Sequence, residues 1–209
     1  MKVNRTATLG VVVWALVLLG GLTALGHYQG VEGAQGPPPS ALPEIPGVQG
    51  DGERFSLLIA IHPHCPCTQA TAGELERLLG EISRRGGVLP QIFALVYRPA
   101  YMDTPWTETT LRDRLRAIEQ VTLVDDPDGR HGASIGALTS GHTVLFDAGG
   151  HPVYRGGLTA SRGHEGDNIG KLAVINHLLH RAGARDQHAV YGCELTEDRG
   201  RTEGVGRTP

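Results

Sequence analysis

The sequence predicts an α/β fold, a central mixed sheet flanked by helices, with one N-terminal transmembrane helix ahead of it. Short apolar runs alternate with segments that repeat apolar residues every three or four positions, as strands alternate with helices in such folds. The last two strand-like runs are joined by a glycine-rich turn, which favours an antiparallel hairpin beside parallel strands. An uncharged apolar run near the N-terminus is long enough to cross a bilayer.

Composition narrows the classes of function. The chain of 209 residues has a net charge of −3, which gives no reason to expect a nucleic acid partner. Its three cysteines are too few for a disulfide-stapled scaffold, and one thiol is left over if a close pair bonds. The sequence has no nucleophile elbow, phosphate-binding loop or zinc-protease helix motif. The cysteines are therefore the strongest candidates for chemistry.

The N-terminal apolar run covers residues 9–26 and follows the basic residues Lys2 and Arg5. Its length is close to the roughly 20 residues that span a bilayer and exceeds the roughly 7–15 of a signal-peptide core. We expect an uncleaved signal anchor that holds residues 1–8 in the cytoplasm, because basic flanks stay inside, and places the rest of the chain outside. Cleavage at the small residues that end the run is the alternative.

Three segments follow the anchor. Residues 27–50 are rich in glycine and proline and are interpreted as a semi-extended linker with little core of its own. Residues 51–195 carry the alternating pattern and form the predicted domain. Residues 196–209 are polar and are expected to be a flexible tail.

The predicted domain has the order strand, helix, strand, helix, strand, hairpin, helix. In the first helix Leu75, Leu78, Leu79 and Ile82 share one face. In the last helix the residues expected to be buried are Ile169, Leu172, Ile175 and Leu179. The third strand is expected to stop at the Asp-Asp-Pro-Asp-Gly turn that follows it. The predicted strands are 54–61, 91–98, 121–124, 142–147 and 151–157, and the predicted helices are 68–85, 107–120, 133–138 and 167–183.

Two cysteines, Cys65 and Cys67, lie in the stretch HPHCPC between the first strand and the first helix. In open α/β sheets ligands bind beyond the carboxyl ends of parallel strands, close to helix N-termini. Free N–H groups and a partial positive charge at such a terminus favour a thiolate and lower a cysteine pKa. Pro66 suits the first helical position, so Cys65 is expected to cap the helix and Cys67 to lie in its first turn.

The one-residue spacing limits how the two thiols can combine. Side chains two positions apart on a helix point about 200° apart around its axis. Cys65 and Cys67 can therefore form a disulfide only if Cys65 lies outside regular helix. The resulting small ring is expected to be strained and easily reduced, which suits an exchange centre better than a structural staple.

Further candidates surround the cysteine pair in the predicted fold. The loop 156–168 follows the hairpin and is expected to lie beside Cys65, either as a lip that contacts a substrate or ion or as a solvated loop. Cys193 follows the last helix by about ten residues and is interpreted as a third redox thiol, a ligand or a small buried apolar residue. The residues expected to line the site are His62, His64, Gly141, His142, Arg162, His164 and Glu165.

The residues alone leave three functions open. The first is thiol–disulfide exchange. The second is binding or delivery of Cu(I) or Zn(II), for which thiolates and imidazoles are suitable ligands, by Cys65, Cys67, His64 and His142. The third is a non-catalytic interaction domain whose thiols are inert.

With these stretches in place, the chain resembles the thioredoxin superfamily over about residues 50–183. Within it, the chain is similar to the RedB-type group of membrane-anchored bacterial proteins, on HPHCPC, on residues 139–168 and on the late YGCEL. The resemblance implies an extracytoplasmic oxidoreductase on the bacterial inner membrane, facing the periplasm. It implies a protein thiol or disulfide as partner, no required cofactor, Cys65 as the attacking thiol and Cys67 as the resolving thiol.

The chain departs from the superfamily pattern in two places. It has C-x-C where thioredoxins have C-x-x-C. It also lacks the proline that thioredoxins hold in the cis form before the hairpin, since the segment is TSGHTV and Gly141 or His142 takes that place. Docking of a substrate by the usual loop is therefore in question.

Overall fold

The computed structural model describes residues 5–196. A long helix precedes the sheet domain, and a short 3-10 helix, Thr104–Thr107, lies between the second strand and the third helix. The strands are β1 Ser56–Ile61, β2 Gln91–Arg98, β3 Val121–Pro127, β4 Thr143–Phe146 and β5 Pro152–Gly156, and the helices are α1 Arg5–Gly30, α2 Thr68–Arg84, α3 Thr110–Arg116, α4 Arg130–Ser134 and α5 Ile169–Leu178.

The strands form a mixed five-stranded sheet in the order β3-β2-β1-β4-β5, which confirms the predicted fold class. The strands β1, β2 and β3 are parallel, while β4 pairs antiparallel with both β1 and β5. Alternate residues of β1 face opposite sides of the sheet, as strand geometry requires. Leu57 and Ile59 pack with α2 and α5, whereas Leu58 and Ala60 pack on the other side with Val144. The central strand is buried completely, by α2 and α5 on one face and by residues that include Ile45, Ile135 and Leu195 on the other.

The first helix of the domain follows its apolar pattern closely. Leu75, Leu78, Leu79 and Ile82 are all buried against the sheet. The last helix follows its pattern only in part. Ile175 is buried as expected, but Ile169 and Leu172 are 47% and 50% exposed, and Ala173, Val174 and Leu178 complete the buried side. The predicted face was partly wrong because α5 is apolar on nearly every side, so the spacing of its apolar residues did not identify the side that faces the sheet.

The third strand is longer than predicted. It continues through the expected stop at Asp125 and pairs with β2 as far as Pro127. The strand lies at the sheet edge, where a proline is tolerated because the missing N–H has no neighbour to bond. Asp126 is fully buried there, and its carboxylate accepts hydrogen bonds from the backbone N–H groups of His131 and Gly132 at 2.7 and 2.9 Å.

The long helix α1 includes the predicted span 9–26 and continues to Gly30. It buries none of its residues against the domain, and it is long and apolar enough to cross a membrane. The predicted linker packs more than expected. Gly33 bonds to Val190 and Gly36 to Gly136 through the backbone, and Ile45 is buried in the core. Exposed edges of the domain provide partners for this backbone, so residues 33–48 lie along the domain. Residues 197–209, in the predicted tail, and residues 1–4 lie outside the described residues.

Candidate thiol site

The cysteine pair lies in a tight turn between β1 and α2. The backbone N–H of Thr68 donates to the carbonyl of Cys65 at 3.1 Å, and that of Gln69 donates to Pro66 at 3.3 Å. The helix begins at Thr68, so Cys67 occupies the cap position and Cys65 lies two residues before it. The expectation that Cys65 caps the helix was therefore wrong, because the turn continues from Cys65 to Cys67 before the regular helix begins. The condition that Cys65 must lie outside regular helix is met.

A third thiol joins the pair from the far end of the chain. The segment around Cys193 runs beside the residues that precede β4, and its carbonyl accepts a hydrogen bond from the Ser140 backbone N–H at 2.8 Å. The next contact along this segment joins Leu195 N–H to the Leu138 carbonyl at 2.9 Å. These bonds hold the Cys193 sulfur 2.9 Å from that of Cys65. All three cysteine sulfurs lie within 4.8 Å of one another.

Cys65 is buried but has polar partners. The residue is only 2% exposed, yet the Cys193 backbone N–H lies 3.4 Å from its sulfur. Burial raises the pKa of Cys65, but hydrogen bonds from Cys193 and Thr68 outweigh burial and lower it overall. The site is not a sealed apolar interior, because donors are aimed at the sulfur. Cys65 is thus the sulfur best suited to carry negative charge.

The other two thiols behave in the opposite way. Burial, followed by the hydrogen bond and the charge of Cys65, raises the pKa of Cys193 to about 12. Burial and then the charge of Cys65 also raise the pKa of Cys67. The guanidinium of Arg162 lowers both values without reversing either shift. The structure therefore combines one thiol whose pKa is lowered with two thiols whose pKa is raised.

Two hydroxyl residues position the cysteines, and the sequence did not single them out. The hydroxyls of Thr68 and Ser140 lie 2.8 Å apart, and both residues are buried. The Ser140 hydroxyl also accepts a hydrogen bond from the His62 backbone N–H at 2.8 Å. Ser140 therefore ties the start of α2, the end of β1 and the Cys193 segment together. A hydroxyl in a loop of the sequence carries no signal for such a role, since the three segments meet only after folding.

The predicted histidines lie in two separate places. The His62 ring stacks on Tyr97 with the ring centroids 5.3 Å apart. The exposed His64 has its Nε2 atom 2.9 Å from the Trp106 carbonyl oxygen. His142 is 1% exposed, and neither ring nitrogen has a hydrogen-bond partner among residues 5–196. The three-sulfur group contains neither His64 nor His142, so the described residues do not bring the predicted ligand set together.

The loop 156–168 does lie beside the site, as predicted. Arg162 donates a hydrogen bond to the carbonyl of Gly192, the neighbour of Cys193. Glu165 forms an ion pair with Arg77 at 2.9 Å, away from the sulfurs, and His164 is exposed. The loop is fastened to α2 by the buried Glu74, which accepts from the Gly166 backbone N–H at 2.6 Å. Of the predicted loop residues, Arg162 is therefore the one that acts on the thiols electrostatically.

The segment that replaces the usual cis-proline is closely packed. All peptide bonds of the described residues are trans. Gly141 has a left-handed backbone with φ of +89°, and a side-chain carbon at this position would approach the Thr71 hydroxyl to 3.0 Å. Its N–H donates to the Ala60 carbonyl at 2.8 Å. A glycine is thus required here both by the backbone conformation and by the nearness of α2.

Solved structures provide a comparison for the whole arrangement. No family model matches the chain, and no curated protein matches it in sequence. An uncharacterized conserved protein from Geobacillus kaustophilus is 21% identical with a TM-score of 0.56, over 81% of this chain and 94% of that one. A hypothetical protein from Sinorhizobium meliloti 1021 is 19% identical with a TM-score of 0.53, over 82% of this chain and 96% of that one.

A more distant likeness is to a secreted Mycobacterium tuberculosis disulfide oxidoreductase, at 14% identity and a TM-score of 0.41, over 65% of this chain and 85% of that one. The first two likenesses describe the fold and identify no chemistry, and the third supports no conclusion about this chain. Membership of the RedB-type group stays a prediction. The mixed sheet, its flanking helices and the position of the cysteines after β1 agree with the predicted thioredoxin-like architecture.

Proposed function

We propose that this protein is a membrane-tethered thiol–disulfide oxidoreductase that attacks its partner through Cys65. The observation that supports it best is the group of three sulfurs within 4.8 Å of one another, in which hydrogen bonds from Cys193 and Thr68 lower the pKa of Cys65 although it is buried. A thiolate is the nucleophile of disulfide exchange, and a low pKa raises its fraction at neutral pH. The second thiol needed to release the partner is present twice, as Cys67 and Cys193.

The reaction begins with Cys65 as a thiolate and the partner as a disulfide. Attack of the Cys65 sulfur forms a mixed disulfide and releases one partner sulfur as a thiolate. Attack by a second cysteine of this chain on the Cys65 sulfur then forms an internal disulfide and releases the other partner sulfur. The partner is reduced by two electrons and the protein is oxidised by two, and the reverse sequence oxidises a dithiol partner.

The test removes both resolving thiols at once. We expect a Cys67→Ser, Cys193→Ser double variant to accumulate a mixed disulfide on Cys65 when the full chain, in detergent, is treated with oxidised glutathione. The adduct is detected by intact mass and located by peptide mapping. A Cys65→Ser variant is the matched control and should give no adduct at the remaining positions on the same timescale. Absence of an adduct on Cys65 in the double variant, with no turnover of disulfides by the wild type, would refute the proposal.

A second candidate function is favoured by the same three sulfurs. Thiolates select soft ions such as Cu(I) and also bind Zn(II), and three of them within 4.8 Å form a donor set of the right kind. Cys65, Cys67 and Cys193 would hold the ion, and His64 and His142 would take no part because they lie outside this group. When bound, such an ion would make the protein a metal carrier.

This alternative has its own readout. We expect stoichiometric Cu(I) binding in competition with a coloured chelator, together with a higher melting temperature. Each of the three Cys→Ser single variants should weaken the binding, whereas His64→Ala should leave it unchanged. A wild-type melting temperature that ignores Cu(I) and Zn(II) would exclude metal carriage. Thiols that resist alkylation in the folded protein and show neither activity would support the third reading, a non-catalytic interaction domain.

We also propose that α1 crosses a bacterial inner membrane with the domain on the periplasmic side. The basic residues before the apolar run support this orientation. In addition, the Arg162 backbone N–H bonds to the Gln29 carbonyl at 3.0 Å, and its guanidinium lies 5.0 Å from the centre of the Tyr28 ring. The helix thus ends beside the thiol site, which would place that site close to the membrane surface and suit a partner protein held in the same membrane.

A further inference from the structure

We propose that the disulfide closed during turnover joins Cys65 to Cys193, and that Cys67 is not the resolving thiol. This deepens the oxidoreductase function proposed above and rests on it. It differs from the assignment implied by the adjacent C-x-C pair, in which Cys67 resolves. The partner is of the same class, a protein disulfide or dithiol.

The first support is the geometry of the sulfurs. Those of Cys65 and Cys193 are already 2.9 Å apart, close to the roughly 2.05 Å of a disulfide. The Cys193 segment approaches from a separate part of the chain, fastened through backbone bonds to Ser140 and Leu138. Closing this bond needs only a small movement of two side chains and leaves the start of α2 as it is.

The second support is the strain in the alternative pair. A disulfide between Cys65 and Cys67 would enclose a single residue, Pro66, whose ring fixes its backbone φ angle. Three consecutive bonds hold this stretch in helical turns, from Thr68 N–H to Cys65, from Gln69 N–H to Pro66, and from Ala70 N–H to Cys67. Side chains two residues apart in such turns diverge around the axis. The two sulfurs lie within 4.8 Å of each other, but a bond between them would have to close within these turns and would therefore distort the residues that lead into α2.

The third support is the effect of the Cys65 charge on the pKa of Cys193 before and after the first attack. While Cys65 is a thiolate, its charge and its hydrogen bond help to hold the proton on Cys193. Once Cys65 is part of a mixed disulfide its charge is gone, so both of these contributions vanish and burial remains the largest contribution that raises the pKa of Cys193. The guanidinium of Arg162 still favours the ionised form of Cys193. The resolving thiol is thus protonated before the first attack and easier to ionise after it.

The disulfide bonds form and break in the following order. The Cys65 thiolate displaces one sulfur of the partner disulfide, which leaves as a thiolate and takes up a proton from solvent. Cys193 then loses its proton to solvent and attacks the Cys65 sulfur. The bond between Cys65 and the partner breaks, the second partner sulfur leaves as a thiolate, and the Cys65–Cys193 disulfide forms. The partner gains the two electrons that the protein loses.

The experiment compares two single variants of the full chain in detergent, Cys193→Ser and Cys67→Ser, treated with oxidised glutathione and quenched with acid. We expect Cys193→Ser to accumulate glutathione on Cys65. Cys67→Ser should carry about a tenth of that adduct or less, because a positioned intramolecular thiol outcompetes glutathione. Peptide mapping of oxidised wild type and of Cys67→Ser should then find Cys65 linked to Cys193.

The opposite pattern, with adduct trapped in Cys67→Ser and a Cys65–Cys67 disulfide in the wild type, would overturn the inference and leave the oxidoreductase function intact. Loss of the oxidoreductase function is recognised separately, by the absence of any Cys65 adduct in the double variant that lacks both resolving thiols. Cys193→Ala provides a second substitution at the same position. It should trap the same adduct as Cys193→Ser, and circular dichroism of both variants should match the wild type. A folded Cys193→Ala that fails to trap would count against the inference.

Discussion

The buried imidazole of His142 gives the sharpest stability prediction. Burial, assisted by the charge of Arg155, lowers its pKa from 6.5 to about 4. An unfolded His142 therefore takes up a proton near pH 6.5, whereas the folded one does so only near pH 4. Between these values the unfolded state binds more protons, so the free energy of unfolding falls as the pH falls through this window. Above about pH 6.5 the residue contributes no such dependence.

The magnitude follows from the size of the shift. A pKa unit corresponds to about 1.4 kcal/mol, so the full shift of His142 is equivalent to about 3 kcal/mol, reached only below pH 4. Between pH 7 and pH 5 the expected loss from this residue is about 2 kcal/mol. Since each ring nitrogen is buried without a hydrogen-bond partner among residues 5–196, His142→Leu should also leave the protein as stable as the wild type at pH 7, or more stable by about 1 kcal/mol.

The assay is urea unfolding of the full chain in detergent, followed by circular dichroism at pH 7 and pH 5. Other residues also titrate in this range, so the informative quantity is the difference between wild type and His142→Leu. His164→Leu is the matched control, because His164 is an exposed histidine in a loop and its removal should leave the wild-type pH dependence in place. If His142→Leu loses as much stability as the wild type between the two pH values, the reasoning about burial is refuted.

Three further predictions concern the loop, the thiols and the anchor. Glu74 is fully buried, and its Oε2 atom lies 2.6 Å from the Lys171 Nζ atom. In urea unfolding, Glu74→Ala should lower the free energy of unfolding by about 3–5 kcal/mol, whereas joint replacement of both residues by apolar ones should lower it less. Arg162→Gln should slow alkylation of Cys67 by iodoacetamide a few-fold at pH 8, because the guanidinium lowers that pKa, and an unchanged rate would contradict this. Leu16→Arg in α1 should cost about 3 kcal/mol of insertion free energy and reduce recovery in the membrane fraction.

Much of the domain was predictable because its elements carry strong local patterns. The strand β2 is a continuous apolar run and was found at its predicted bounds, 91–98, since only a strand covered on both faces is apolar throughout. Asn168 accepts the Lys171 backbone N–H at 2.7 Å, as expected of a cap-type residue at the start of the last helix. The continuation of β3 to Pro127 was missed because pairing with a neighbouring strand outweighed a local turn signal.

The site was predictable most directly where its residues are neighbours in the chain, although the loop that carries Arg162 was also expected beside it. Cys65 and Cys67 were located correctly because β1 and α2 flank them directly. Cys193 is 128 residues away from Cys65. Its side chain reaches the site because the neighbouring Glu194 pairs with Thr139, and no local sequence pattern predicts this pairing. The same holds for Ser140. His142 was expected at the site because it takes the place of a proline. Its imidazole is buried with no hydrogen-bond partner in the described part of the chain, and the group of three sulfurs does not include it.

The distribution of protons among the three sulfurs separates the two candidate functions. Exchange requires only Cys65 to be ionised at the start, and that is the thiol whose pKa is lowered. A three-thiolate metal site requires Cys193 as well to lose its proton, although its pKa is raised to about 12. Metal binding would therefore release protons and strengthen steeply as the pH rises, whereas the rate of attack by Cys65 would level off once that one thiol is ionised. The pH dependence of each activity therefore distinguishes exchange from metal carriage.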